Sequence, residues 1–157
     1  LINLQELYLV HNKIDEIKGL ENLTQIVLLE LGDNRIRQIK GIEHMANLKE
    51  LYLGKNKGLD SLDGLNNLKK LMIIDIANNS VTSLKELAAL PELTDIWAND
   101  NKISSWNEVD ALSKLEKLET VYLERNPIYK DDITAYRRKV ILALPKITQL
   151  DATQCRS

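Results

Sequence analysis

Few residues in this 157-residue chain could do acid–base, nucleophilic or metal chemistry, and most of them stand apart: His11, His44, Cys155 and a set of evenly placed carboxylates. A metal site needs several His, Cys, Asp or Glu ligands close together. His11 and His44 are too far apart in the sequence pattern to pair as ligands. Cys155 lies in the tail and reads as a spectator rather than a nucleophile. There is no Gly-rich phosphate loop, because Gly32 and Gly54 stand singly. Glu and Asp pairs could imitate an acid/base dyad, but rows of carboxylates are commoner as interface charge. The chain is expected to have no catalytic residues, no metal and no cofactor.

The carboxylates belong to a larger regularity. Asparagines recur at Asn12, Asn34, Asn56, Asn79, Asn101 and Asn126, with gaps of 22, 22, 23, 22 and 25 residues. Apolar residues stand eight, five and three positions before each one, from Leu4/Leu7/Leu9 in the first unit to Leu118/Val121/Leu123 in the sixth. More follow at +2, +5, +8 and +11, as in Ile14, Ile17, Leu20 and Leu23. The third unit, "NKGLDSLDGL", shifts this by one residue, which accounts for its longer gap. This is the leucine-rich-repeat pattern, LxxLxLxxN, in its short form.

The pattern predicts an α/β leucine-rich-repeat solenoid. Each alternating "xLxLx" stretch reads as a short strand with one face buried. Stacked units then form a parallel sheet on a concave face, with short 3₁₀ or helical turns on the convex side. The asparagines are expected to point inward as a structural ladder. Buried backbone groups in the turn after each strand need partners, and an amide offers two donors and an acceptor.

Outward strand positions are left for contacts. Four residues before each Asn stand Tyr8, Glu30, Tyr52, Asp75, Trp97 and Tyr122. The neighbouring outward positions add Glu6, Glu50, Asp95 and Glu124. Three outward positions in each of six repeats make eighteen, of which six are acidic and none is Lys or Arg, and four of the six central residues are aromatic. The residues flanking each Asn have mostly the opposite sign: Lys13, Arg35, Lys55, Lys57, Lys102 and Arg125, against Asp33 and Asp100. The expectation is an acidic, aromatic trough with a basic margin, in which Trp97 is exposed and kept for a partner. Aromatic residues dominate binding hot spots, and acidic groups steer a basic surface. Cross-strand packing of the aromatics is the plainer reading of any single one.

The totals bound the remaining choices. A net charge of −2 gives no drive towards nucleic acid or an anionic membrane, and neither is expected as a partner. A lone cysteine forms no internal disulfide, which favours a reducing compartment; nucleus and cytoplasm are the expected locations. "ENLT" and "NNS" match the glycosylation tripeptide by chance.

The two ends differ. Residues 1–126 read as six repeats and 127–157 as a C-terminal cap. In "SSWNEVDALSKLEKLE", Ser105 and Glu108 form a capping-box signature, predicting a helix over 107–117. Tyr136, Val140 and Leu144 share helical spacing, predicting a cap helix over 134–144, and "KITQLD" a last short strand. The chain opens in mid-pattern at Leu1, so upstream repeats or a capping segment are expected before it.

"LETVYLERNPIY", "YRRKVILALP" and "ITQLDAT", with "LTDIWANDNKISSWNEVD" and "LMIIDIANNSVTSL", resemble the C-terminal half of the protein phosphatase 1 regulatory subunit 7 family, leucine-rich-repeat regulators of type-1 Ser/Thr phosphatase. The resemblance implies a non-catalytic subunit. It would bind the phosphatase catalytic subunit through its concave face and control its activity, maturation or location, with room for a further inhibitor subunit. Carried over by position, Asp75, Asp95, Trp97 and Tyr122 match residues of that contact, and Tyr8 an aromatic one. Glu30 and Tyr52 join them from their place in the stripe. Ile133–Ala135 looks like a small insertion that lengthens the loop into the cap. The alternative is an adapter of the same repeat class for a dynein, tubulin-folding or splicing complex.

Overall fold

The computed structural model describes residues 2–130 and 132–155. Eight short strands cross one sheet in chain order: β1 (Glu6–Tyr8), β2 (Leu28–Glu30), β3 (Glu50–Tyr52), β4 (Ile73–Asp75), β5 (Asp95–Trp97), β6 (Thr120–Tyr122), β7 (Gln149–Leu150) and β8 (Thr153–Gln154). β1 to β7 pair parallel. Parallel neighbours need a crossover of a dozen residues or more, which one repeat supplies. The central residue of each three-residue strand points inward; Leu29, Leu51, Ile74, Ile96 and Val121 are fully buried, as is Leu150 in β7. The parallel-sheet solenoid expected from the repeat is the architecture found.

The convex side is built mainly by residues spaced in threes. Val81, Leu84, Leu87 and Leu90 are all buried, and a 3₁₀ helix covers Lys85–Ala89. With three residues per turn, 3₁₀ geometry returns each third side chain to the same face. The same rule corrects the helix expected over 107–117. The α-helix α1 covers only Trp106–Ala111 and passes into a 3₁₀ turn at Leu112–Lys114. Leu112, Leu115 and Leu118 are buried at spacing three, which stays on one face in 3₁₀ geometry but drifts about 60° per step in an α-helix. The capping box is corrected as well. Ser105 caps the helix by accepting from the Asn107 N–H at 3.2 Å. Glu108 does not reach back to it. Its buried carboxylate accepts from Ser83 Oγ at 2.8 Å and the Leu84 N–H at 2.9 Å, bonding two repeats together.

The asparagines bridge repeats. The Asn56 Oδ1 accepts from the Ile36 N–H at 2.9 Å, and its Nδ2 donates to the Leu53 and Leu31 carbonyls at 2.9 and 3.1 Å. Asn34, Asn101 and Asn126 repeat this arrangement, each serving backbone of its own unit and the one before. Asn79 departs from it: its Oδ1 accepts from the Asn56 N–H at 2.6 Å. The extra residue of the third unit shifts the backbone that the other ladder members would meet. Asn12 is exposed and reaches only the Leu9 and Val10 carbonyls. The residue before each of the six has positive φ: His11, Asp33, Lys55, Asn78, Asp100 and Arg125, at 54° to 61°. The chain reverses sharply there to leave the sheet, and Asn and Asp tolerate that backbone best after Gly.

The cap closes the array through a different device. Helix α2 covers Ile133–Ala143, with Asp132 as N-cap accepting from the Ala135 N–H at 3.1 Å. Ile133–Ala135 is therefore the helix's first turn rather than a lengthened loop, because Asp132 supplies the cap that starts it early. After β7 the chain folds back as β8, antiparallel, a hairpin that periodicity did not reveal. Along the sheet, an N–H beyond each strand donates to the next strand's carbonyl, as Leu31 to Tyr52 and Ala98 to Tyr122. At the last repeat the buried Asp151 carboxylate replaces that carbonyl. Its Oδ1 accepts from the Leu123 and Glu124 N–H groups at 2.7 and 3.0 Å. Its Oδ2 accepts from the buried Tyr136 hydroxyl of α2 at 2.9 Å. The outer ends of the two stretches read from the sequence, Leu1 and Ser157, lie outside the described residues, as do Asp131 and Arg156.

Candidate functional site

Parallel, in-register pairing turns the outward positions into rows. Tyr8 pairs with Glu30, Glu30 with Tyr52, Tyr52 with Asp75, Asp75 with Trp97 and Trp97 with Tyr122. The seven candidate residues thus share one face, with Asp95 in the row beside the other six. Neighbouring strands lie about 4.8 Å apart, so equivalent side chains on alternate strands start about 9.6 Å apart. The Tyr52 and Trp97 rings nonetheless close to 6.0 Å between centroids. They lean together over the strand that carries Asp75. The Trp97 and Tyr122 rings meet edge to face at 6.4 Å.

This arrangement corrects the expected exposure of Trp97. Trp97, Tyr52 and Tyr122 are half-buried, each against another ring, and only Tyr8 stands open at 60% exposure. Aromatic pairs at these separations stabilise a sheet as well as offering a surface. The phenols are tied down. Tyr8 donates to Glu6 at 2.8 Å and Tyr52 to Glu50 at 2.5 Å, while Tyr122 accepts from the Gln149 amide at 3.0 Å. Burial, then the bond to Glu50, push the Tyr52 phenol well above its ordinary range.

The carboxylates are held as well. Glu30 Oε1 accepts from the Gly32 N–H at 2.6 Å, and Asp75 Oδ1 from the Ala77 N–H at 2.9 Å. Each lies flat against backbone where the residue two positions on is small. A Cβ on Gly32 would stand 2.8 Å from Glu30 Oε1, and one on Gly54 3.1 Å from Asp75 Oδ2. Asp95 accepts from the Thr94 hydroxyl at 2.7 Å. Asp75 is perturbed by its surroundings. Burial beneath the rings raises its carboxyl above the ordinary carboxylate range, opposed by the Ala77 bond and reinforced by the charge of Glu30.

Tyr52 separates Glu30 from Asp75 in the row, and the hydroxyls that meet carboxylates on this face are those of Tyr8, Tyr52 and Thr94. His11 bonds Asp33 at 2.5 Å, and His44 bonds the Leu20 carbonyl at 2.8 Å in another part of the fold. The Cys155 thiol is pushed up by burial. Among the described residues no group of three His, Cys, Asp or Glu could hold a metal ion. What the face offers is rigid aromatic surface beside fixed negative charge. Sequence reasoning did not find the roles of Gly32, Gly54 and Asp151. The signal for the glycines was visible, since both stand two residues after a row position.

A family profile described as "Leucine-rich repeat" matches residues 57–157, and one described as "Leucine Rich repeats (2 copies)" matches 2–44. Over 54 residues the chain is 56% identical to protein phosphatase 1 regulatory subunit 7 of Mus musculus, a match covering 34% of this chain and 14% of that protein. It is 60% identical over 43 residues to the protein phosphatase 1 regulatory subunit SDS22 homolog of Caenorhabditis elegans, covering 27% and 13%. It is 53% identical over 57 residues to protein phosphatase 1 regulatory subunit SDS22 of Schizosaccharomyces pombe, covering 36% and 17%. These matches span about one-seventh of the length of those relatives. Among solved structures, a leucine-rich-repeat protein of Leptospira interrogans superposes with a TM-score of 0.81 at 26% identity, over 94% of this chain and 37% of that one. Internalin C2 of Listeria monocytogenes superposes at 0.65 and 28% identity, over 96% and 72%.

Proposed function

This chain belongs to the leucine-rich-repeat family, and we propose that it is a non-catalytic regulatory subunit that binds the type-1 Ser/Thr protein phosphatase catalytic subunit. The observation that carries the reading is the identity of 53–60% to segments of proteins named as regulatory subunits of protein phosphatase 1. The contact surface is the concave row of Tyr8, Glu30, Tyr52, Asp75, Trp97 and Tyr122, with Asp95 beside it. Three properties support that choice. The row is rigid, so little side-chain entropy is lost on docking. Its aromatic rings are partly open, the type that dominates hot spots. Its carboxylates face outward without cations among them, which suits a basic partner surface. By binding there, the chain would control the activity, maturation or location of the phosphatase in nucleus and cytoplasm. The convex side would stay free for a further inhibitor subunit.

The test is calorimetric titration of the purified catalytic subunit into the chain, beside a Trp97→Ala/Tyr122→Ala variant checked for folding by circular dichroism. Each ring is expected to contribute about 2 kcal/mol, about thirtyfold in Kd. No heat with the unaltered chain, or unchanged affinity in a folded variant, refutes the reading.

A further inference from the structure

Lys18, Lys117, Arg125 and Lys146 lie within 2.5 to 3.3 Å of Glu16, Glu92, Asp100 and Glu116. Many other cations among the described residues are unpaired, and one edge of the solenoid gathers four of them around one space. Arg35, Arg37, Lys55 and Lys57 are exposed, and among the described residues they have no ion pair and no side-chain hydrogen bond. All four line one groove of about 580 Å³ in the turns after β2 and β3. The one carboxylate in that groove, Asp33, is turned to His11 at 2.5 Å. A second groove of about 460 Å³ shares Lys57 and Gly58 with the first and adds Lys102 and one carboxylate, Asp60. On the other side Arg35 and Arg37 border a groove that also holds Asp15, Glu16 and Glu43, none of them within ion-pair distance of either arginine.

The repeat itself creates this crowding. Equivalent turn positions in successive units stack at roughly the strand spacing of 4.8 Å, so like charges are brought side by side. Such neighbours repel weakly in water, and an anion between them removes the repulsion. The extra residue of the third unit shapes the groove. A Cβ on Gly58 would stand 2.9 Å from Arg37 Cγ and 3.3 Å from Nε, so the missing side chain lets the Arg37 stem lie across the next turn. Two guanidinium forks and two ammonium groups then face one space. Arginine forks bind carboxylate and phosphate oxygens in pairs.

We propose that this edge, centred on Arg35, Arg37, Lys55 and Lys57, docks an acidic peptide segment of a partner protein. Nucleic acid fits less well. No aromatic side chain lines either groove to stack on a base. The adjoining concave face carries six carboxylates, which repel an extended polyanion but leave a short acidic segment unopposed. The edge is separate from the concave row, so its test stands apart from phosphatase binding.

The test is fluorescence anisotropy with the full chain and a fluorescein-labelled peptide of alternating glutamate and phosphoserine. Arg37→Glu/Lys57→Glu is expected to weaken binding about tenfold or more. Lys85→Glu/Lys114→Glu makes the same change in net charge on the convex side and is expected to change binding less than about twofold. Arg37→Gln/Lys57→Gln is expected to fall between them and replaces the first variant if circular dichroism shows that one unfolded. Absent binding by the unaltered chain, equal losses in the edge and convex variants, or tighter binding of a twelve-residue oligothymidine than of the peptide would each overturn the assignment.

Discussion

Replacing Asn56 by alanine tests whether the ladder carries the stability of the turns. Asn56 is fully buried and forms three good side-chain bonds. The losses are unequal. The Leu31 carbonyl still accepts from Asn34 at 3.0 Å, and the Leu53 carbonyl from Asn79 at 3.0 Å. The Ile36 N–H loses its partner outright and stays buried with a fully buried residue. One orphaned donor and two half-satisfied acceptors place the cost at about 1–3 kcal/mol, towards the upper end because no water reaches the site. Asn12 provides the contrast. It is exposed, and water replaces it at the Leu9 and Val10 carbonyls, so Asn12→Ala is expected to cost under about 0.5 kcal/mol. Urea denaturation followed by circular dichroism measures both through the shift in midpoint at constant slope. Equal shifts for the two variants, or none for Asn56→Ala, would refute the orphaned-donor argument.

Gly64→Ala is expected to destabilise by about 2 kcal/mol or more, because φ is +105° and the new Cβ would stand 2.0 Å from the Ile39 carbonyl oxygen. Gly58→Ala meets only the movable Arg37 stem and is expected to cost under about 1 kcal/mol, both read from thermal melts. Tyr136→Phe leaves Asp151 Oδ2 without its donor in a buried site and is expected to cost about 1–3 kcal/mol. Amide hydrogen exchange should show the loss first at β6 and β7, whose end that carboxylate closes. Asp75→Asn is expected to keep or raise the melting temperature at pH 7. A carboxyl raised in the fold binds its proton more tightly there than in the unfolded chain, so its stabilising form is present at low pH and is lost as pH rises through the folded pKa. The melting temperature of the unaltered chain should therefore fall across that window relative to the variant's; parallel pH profiles would refute it.

The architecture was legible because one spacing governs it. Inward leucines, ladder asparagines and outward rows all follow from a repeat near 22 residues, and parallel pairing keeps them in register. What escaped was set by contacts between units. Leu112, Leu115 and Leu118 look equally helical at spacing three or four until the core demands three. Glu108 matched a local capping motif, but Ser83 and Leu84 one repeat away claimed its carboxylate. Asp151 carries no mark in the pattern, since its role exists only where the next strand's carbonyl is missing. The row residues were placed by parity alone, whereas the tilt of Tyr52 and Trp97 towards each other depends on the small Asp75 between them.

That tilt bears on the proposed role of the concave aromatics. If packing were their whole purpose, an apolar residue at position 75, like Ile73 two residues earlier on the same strand, would serve the stack better. Asp75 instead sits desolvated between rings, beside Glu30, at a cost that the Ala77 bond offsets only in part. Glycines at 32 and 54 weaken strand margins yet leave Glu30 and Asp75 room to lie against the backbone. A sheet selected for stability alone gains nothing from these choices. A cationic side chain docked over Tyr52 and Trp97 would meet ring surface close to a carboxylate, and would relieve the repulsion between Asp75 and Glu30. On the proposed function the two readings of the aromatics meet: rings that pack on each other would also hold an acid where a partner's positive charge can reach it.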